Sequence, residues 1–334
     1  MPDRATSPSV LVTAAFLAPE AVAILEAAGY AVPCTSGYPS EAELLAAIAE
    51  HRPVAILHRQ GIINGTVMDA ALPALRVVAR HGAGVDGIDL PAAEARGLTV
   101  TRAAGANSRS VAEHAMALML SLLKDLPSVA AGMHDGLWEK TSRMTRDVDG
   151  TALGIVGYGA IGSKVARLAD AFGMRVAAYD PLLSPGPLPG PGERVADLPS
   201  LLARSEVLSL HCPLDATTRG MIGAAELAML PKGAILVHTA RGGIVDETAL
   251  LAALESGHLA WAGVDVFAKE PLDAASPLRT HARVLPTPHL AANTPHGAVG
   301  MSTGAAESIV AVLSGRLPAL EGAIVVRGGL RIAA

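Results

Sequence analysis

The stretch Asp149–Asp180, DGTALGIVGYGAIGSKVARLADAFGMRVAAYD, decides how the rest of the chain is read. Residues 151–156 are an apolar run of the length and composition of a buried strand. The run stops at Gly157-Tyr158-Gly159-Ala160-Ile161-Gly162, a G-x-G-x-x-G turn. Val165, Leu168, Ala169 and Phe172 then recur at helical spacing, Gly173 ends that helix, and residues 175–179 form a second short strand closed by Asp180. Each residue type suits a dinucleotide. Gly157 permits the tight strand-to-helix turn, Gly159 admits a pyrophosphate to the backbone, and Gly162 lets the helix lie against the sheet. The helix N-terminus presents N–H groups and partial positive charge to phosphate. Asp180 can accept both ribose hydroxyls and would repel a 2′-phosphate, which favours NAD over NADP. A lone glycine turn means little; strand, turn, helix, strand and acid in this order make the full fingerprint.

At 334 residues the chain exceeds one ordinary core, so two domains are expected. Apolar residues make up 51% and charged residues 17%, with a net charge of −5, a balance that argues against nucleic acid as a partner. The two cysteines, Cys34 and Cys212, form neither a metal set nor a disulfide framework; no metal site is expected, and a reducing cytoplasm fits. The apolar N-terminal stretch is interrupted by Pro19, Glu20 and Glu26 and is too short to span a membrane.

Strands are expected at 10–13, 54–58, 76–79 and 98–101, and helices at 19–28, 41–50 and 66–72: a small α/β unit ahead of the fingerprint. Residues 107–131 read as one long helix, apolar over too much of its circumference for a surface position. Burial in a homodimer interface is the preferred expectation, with packing inside the chain as the alternative. The Pro- and Gly-rich residues 181–195 read as a solvated loop without a role. Strands at 207–210, 234–237, 261–264 and 283–285 alternate with helices at 224–229 and 246–255, giving a doubly wound parallel sheet of about six strands. Thr294 caps and Pro295 starts a last helix running to about residue 313. Residues 317–334 show no usable pattern.

Chemistry in such a fold gathers at the C-terminal ends of strands. Three stretches stand there: residues 237–243 with Arg241, residues 264–271 with Glu270, and residues 285–290 with His289. Arginine grips a carboxylate in two places. Histidine is the base with a pKa near neutrality that an alcohol losing hydride requires, and a carboxylate behind it fixes its tautomer. Alone, His289 reads as a core histidine; with Arg241 and Glu270 on neighbouring strand ends it reads as a catalyst. His58, His81, His114, His211, His238, His281 and His296 are rivals without such company.

The fingerprint with Asp180, the stretches HTARGGIVDETAL, VDVFAKEP and TPHLAANT, and the earlier HGAGVDGIDL and GANSRSVAEHAMALML together resemble the D-isomer specific 2-hydroxyacid dehydrogenases over most of the chain. The resemblance implies two doubly wound α/β domains. A Rossmann NAD-binding domain, residues 104–295, is inserted into a flavodoxin-like substrate domain made of residues 1–103 and 296–334, with a cleft that closes on the substrate. It implies catalytic Arg241, Glu270 and His289, and cofactor contacts at Ala160, Ile161, Asp180, Thr239, Ala240 and Asp265, with His211-Cys212-Pro213 beside the adenosine. It further implies that the N–H groups of Ala83 and Gly84 hold the substrate carboxylate. The loop with Arg59 meets the substrate's far end, where Arg59 or Arg80 could bind a phosphate. Two positions depart from the family pattern: His238 stands where asparagine is usual, and Gly87 where asparagine is common. The expected activity is hydride transfer between NAD(H) and a small D-2-hydroxy or 2-oxo acid such as hydroxypyruvate, glyoxylate or 3-phosphoglycerate. Alternatives are a phosphite-type dehydrogenase and an NAD(H)-sensing, co-repressor-like binding protein.

Overall fold

The computed structural model describes residues 7–320 and 322–328; the remainder of the expected 1–103 and 296–334 segments lies outside the described residues. The chain forms two compact units, one built from the chain up to Asn107 and again from Thr294, the other from Ser108 to Asn293.

In chain order the first unit holds β1 (Val10–Val12), α1 (Pro19–Ala27), α2 (Glu41–His51), β2 (Ala55–His58), α3 (Gly65–Ala71), β3 (Val77–Arg80), α4 (Leu90–Ala95) and β4 (Thr99–Arg102). The second unit follows with α5 (Ser108–Leu123), α6 (Leu126–His134), β5 (Ala152–Val156), α7 (Gly162–Ala171), β6 (Arg175–Tyr179), β7 (Glu193–Arg194), α8 (Leu198–Leu202) and β8 (Val207–Leu210). It continues with α9 (Ala224–Met229), β9 (Ala234–His238), α10 (Glu247–Glu255), β10 (Leu259–Val264), α11 (Pro277–Thr280) and β11 (Val284–Pro286). The chain then returns to the first unit with α12 (Pro295–Leu313) and β12 (Ile324–Val326). Helix starts follow side-chain chemistry: Ser40, Asn64, Asp89, Asp197, Asp246 and Thr294 each accept a backbone N–H from the first turn of the helix they precede.

In the first unit the sheet order is β1-β2-β3-β4-β12, parallel except that β12 runs antiparallel to β4. This last strand lies in the tail that showed no pattern. Val10, Val12, Leu57 and Val77 are buried on one face beneath Ala305, Ile309 and Val312 of α12, while Leu11, Ile56 and Val78 are buried on the other. Burial on both faces explains why these strands read as unbroken apolar runs. Gly87 packs closely in this unit. A Cβ there would lie 2.7 Å from the ring of His58 and 3.1 Å from the Gly61 carbonyl, so the buried His58 imidazole takes the room a larger residue at 87 needs.

In the second unit seven parallel strands run in the order β11-β10-β9-β8-β5-β6-β7. The chain winds outward in one direction from β5 through β6 and in the other from β8 through β11. The switch point between β5 and β8 is where a doubly wound sheet opens a crevice at its carboxyl edge.

Two expectations change. The single helix over 107–131 is two helices bent by 60°. In a continuous helix Pro127 would lack an N–H and its ring would meet the carbonyl of Leu123, four residues back, so α5 ends there and Asp125 takes φ 50°. The apolar face of α5 packs within its own unit, where Met119, Leu122 and Leu123 join Val165, Ile235 and Val237. No single helix is long and apolar enough to cross a membrane among the described residues. The loop after Asp180 is also not idle. Leu188 is buried in the same core, Tyr158 donates its hydroxyl to the Pro191 carbonyl at 2.6 Å, and the Arg194 guanidinium donates to the carbonyls of Leu183, Ser184 and Gly186.

Burial pushes His211 down to about 3, and His58, His81 and His238 are enclosed by the same packing. Burial, reinforced by the Arg80 charge, pushes His58 down to about 3; burial, with Arg59 and Arg80, pushes His81 to about 4; burial pushes His238 to about 4. All four fold as neutral rings, whereas the unfolded chain protonates them near 6.5. The unfolded state therefore binds more protons below that pH, and stability falls as pH falls. Below pH 6.5 each should remove roughly 1.4 kcal/mol per pH unit until its folded pKa is reached. Thermal melts between pH 8 and 5 should show a steep loss of Tm below pH 6.5; a Tm that stays level to pH 5 would contradict the buried-neutral assignment.

Candidate active site

The G-x-G-x-x-G turn leaves β5 at the switch point, and its three glycines have three distinct surroundings. Gly157 sits at φ 87°, and a Cβ there would lie 2.8 Å from the backbone of His211 and Cys212 at the end of β8. At Gly162 a Cβ would come within 2.0 Å of the Gly157 carbonyl oxygen, so no other residue closes the turn against the helix. At Gly159 a Cβ would meet nothing within 4 Å, which leaves open the side from which a pyrophosphate approaches. Ala160 and Ile161 lead into the N-terminal end of α7, whose dipole favours phosphate and which has no side-chain cap. Asp180 is fixed by N–H donors from Tyr158 (2.8 Å) and Leu182 (2.9 Å), one to each carboxylate oxygen. The next arginine along this loop, Arg194, commits its guanidinium to loop carbonyls rather than to a 2′-phosphate position. His211, Cys212 and Pro213 follow β8 directly. Burial holds the Cys212 thiol up at about 11, so it stays a neutral lining group. These residues fit a dinucleotide without a 2′-phosphate.

β9, β10 and β11 end side by side, with Val264 paired to His238 on one flank and to Pro286 on the other. Thr239, Ala240 and Arg241 leave β9; the Arg241 guanidinium donates to the Ala240 carbonyl at 2.7 Å. The Thr239 hydroxyl oxygen is buried without a hydrogen-bond partner among the described residues, an orphan at the edge where the dinucleotide is expected. A Cβ on Gly242 would overlap the Phe267 carbonyl at 1.8 Å, so the turn after Arg241 presses backbone to backbone on the turn that carries Glu270. Glu270 receives the Phe267 N–H on Oε1 (3.0 Å) and faces Nδ1 of His289 with Oε2 (2.6 Å). Burial tends to raise the Glu270 pKa. The His289 bond, the Phe267 N–H and the nearby His289 and Arg241 charges outweigh it and hold the carboxyl below its ordinary value. With Nδ1 turned to a carboxylate, the other ring nitrogen, Nε2, is left for a substrate, and 44% of the His289 side chain is exposed.

His289 has φ 50°, a left-handed backbone that a non-glycine residue adopts only when its surroundings impose it. Its own N–H donates to the Thr287 carbonyl at 3.0 Å. Asp265 does the rest. This carboxylate is 0% exposed and accepts the Thr287 hydroxyl (2.5 Å) and the N–H groups of Leu290 and Ala291 (3.0 Å each). Both oxygens engage the His289 loop, and the residue braces that loop. The sequence signal for this role was weak, because Asp265 and its partners lie some two dozen residues apart.

Of the expected substrate groups, Arg59, Ala83 and Gly84 lie in the first unit. The Arg59 guanidinium sits 4.8 Å over the Phe16 ring and donates to the Phe16 carbonyl. Arg80, expected as a possible phosphate ligand, bridges two loops, donating Nε–H to the Gly84 carbonyl (2.8 Å) and Nη1–H to the Arg59 carbonyl (2.6 Å). Neither ring nitrogen of His238, the residue in the asparagine position, has a hydrogen-bond partner among the described residues. No cluster of three His, Cys, Asp or Glu side chains suited to a metal occurs among them.

Comparison with known proteins identifies the family. D-3-phosphoglycerate dehydrogenase of Mycobacterium bovis is 40% identical over 292 residues, 87% of this chain and 54% of that protein, so the chain spans about half the length of such curated relatives. The solved structure of the TT0316 protein from Thermus thermophilus superposes with a TM-score of 0.86 at 36% identity, covering 95% of this chain and 100% of that one. A glyoxylate reductase from Paecilomyes thermophila superposes with a TM-score of 0.82 at 27% identity over 96% of this chain and 98% of its own. Residues 116–291 match the NAD binding domain of the D-isomer specific 2-hydroxyacid dehydrogenases, and the chain is a member of that family.

Proposed function

We propose that this chain is an NAD-dependent oxidoreductase that interconverts a small D-2-hydroxy acid and its 2-oxo acid, with 3-phosphoglycerate, hydroxypyruvate and glyoxylate as the substrates to test first. The observation that carries the reading is the 2.6 Å contact between His289 Nδ1 and Glu270 Oε2, with Arg241 on the adjoining strand end. Support for the substrate class comes from relatives named D-3-phosphoglycerate dehydrogenase and from a structural neighbour named glyoxylate reductase.

Bound NAD supplies the hydride acceptor, or as NADH the donor. The chain's own groups manage charge and protons. Arg241 fixes the substrate carboxylate through its planar fork. As the hydroxy acid is oxidised, its C2 hydrogen leaves as hydride and its hydroxyl proton passes to His289 Nε2. In the reverse direction His289 returns that proton to the carbonyl oxygen. Glu270 accepts from Nδ1–H throughout, which keeps Nε2 the reactive nitrogen and stabilises the imidazolium. Asp180 receives the adenosine ribose hydroxyls.

A homodimer is part of the same reading, with its contact moved from α5 to α6 and the segment after it. Leu126, Met133, Leu137, Trp138 and Met144 are all more than half exposed there. Large apolar side chains gathered on one segment mark an association surface. Light scattering on the eluting protein should give twice the chain mass, and Trp138→Glu should shift it toward monomer; a monomeric wild-type protein would end this proposal.

An NADH-oxidation assay across a panel of 2-oxo acids, with 3-phosphoglycerate in the oxidative direction, tests the activity; no turnover on any member would overturn it. His289→Ala should lower turnover on the best substrate by about 10²–10⁴-fold, and unchanged turnover would remove His289 from the mechanism. Asp180→Ala should reduce the preference for NAD over NADP by about tenfold or more, the value of a hydrogen bond to a charged group; an unaltered ratio would assign ribose recognition elsewhere.

A further inference from the structure

His114 belongs to none of the groups assigned so far, yet its position follows from close packing. β10 carries Gly263, where a Cβ would lie 3.1 Å from Leu118 Cβ and 3.2 Å from Leu122 Cδ1, so α5 rests directly on that strand. His114 is one helical turn before Leu118, and Asp265 lies two residues beyond Gly263. Four helical residues rise about 6 Å and two strand residues advance about 6.6 Å. Where helix and strand run in opposite senses, the two side chains arrive together.

Thr287 joins them. Its hydroxyl oxygen lies 2.5 Å from Asp265 Oδ1 and 3.1 Å from His114 Nε2, while Nε2 is 3.6 Å from the same carboxylate oxygen. A hydroxyl has one proton to donate. At 2.5 Å from a carboxylate that proton must point to Asp265, so His114 is the donor to the Thr287 oxygen and carries its proton on Nε2. The chain of donation then runs one way, from His114 to Thr287 to Asp265. From Asp265 it meets the N–H groups of Leu290 and Ala291, which flank His289 on its C-terminal side.

We propose that His114 is a positioning residue for His289: by donating through Thr287 to Asp265 it holds the left-handed loop that aims the imidazole at the substrate. The proposal rests on reading His289 as the acid–base group. It makes α5, remote from the reacting atoms in sequence, part of the apparatus that sets their geometry.

The test compares wild type with His114→Phe, which keeps a ring and loses the donor, His114→Gln, which restores an N–H donor, and Thr287→Val, which breaks the relay from its other side. Hydrogen exchange of the Leu290 and Ala291 amides is measured beside steady-state kinetics. His114→Phe and Thr287→Val should each speed that exchange and lower kcat by about tenfold, with KM for NADH changed by less than about twofold. His114→Gln should recover most of both. Wild-type exchange at these two amides in His114→Phe, or a Gln variant no better than Phe, overturns the proposal. Because exchange needs no turnover, it decides the role of His114 even if the substrate panel shows the oxidoreductase reading to be wrong.

Discussion

Seven strands of one direction impose the layout of the second unit. Parallel strands all end on the same edge, and everything that matters chemically leaves from that edge: Gly157 from β5, Asp180 from β6, His211 from β8, Arg241 from β9, Asp265 and Glu270 from β10, and His289 from β11. The reversal of winding between β5 and β8 opens the edge where the glycine turn must sit. No single loop builds the site. Neighbouring strand ends supply it a piece or two each, and their spacing is fixed by the sheet's own hydrogen bonds.

Given that edge, the loops still have to be held within fractions of an ångström, and two devices do it. One is the absence of side chains: Gly162 against Gly157, and Gly242 against Phe267, bring backbone onto backbone where any Cβ would collide. The other is a buried carboxylate with its lone pairs filled. Asp265 without its three donors would be a desolvated charge in the core, strongly destabilising. With them, its requirement for partners becomes a constraint on the loop from Thr287 to Ala291. The left-handed φ of His289 is where that constraint shows.

Much of this was legible because it is local. The glycine turn, Asp180 and the helix after it follow within one strand–helix–strand unit, and the three strand-end stretches stand out by composition. What escaped was non-local or counter to pattern. β12 pairs with β4 across more than two hundred residues, and its three residues carry no alternation to announce it. The break at Leu123 was masked by apolar residues that continue past Pro127, although that proline supplies the cause. Asp265 stands out as a strand-end acid, but its bracing of the His289 loop runs through Thr287, Leu290 and Ala291 on the neighbouring strand's loop, too far off in sequence to show. Arg80 was legible as a cation at a strand end but not as a bridge between the Arg59 and Gly84 carbonyls.

His58 and Gly87 divide one volume between them. A side chain added at 87 while the imidazole remains meets it at 2.7 Å, and a small residue at 58 facing a bare glycine leaves a void in the core. A side chain at 87 therefore needs the His58 ring to turn aside, and the pair couples the loop after β3 to the end of β2.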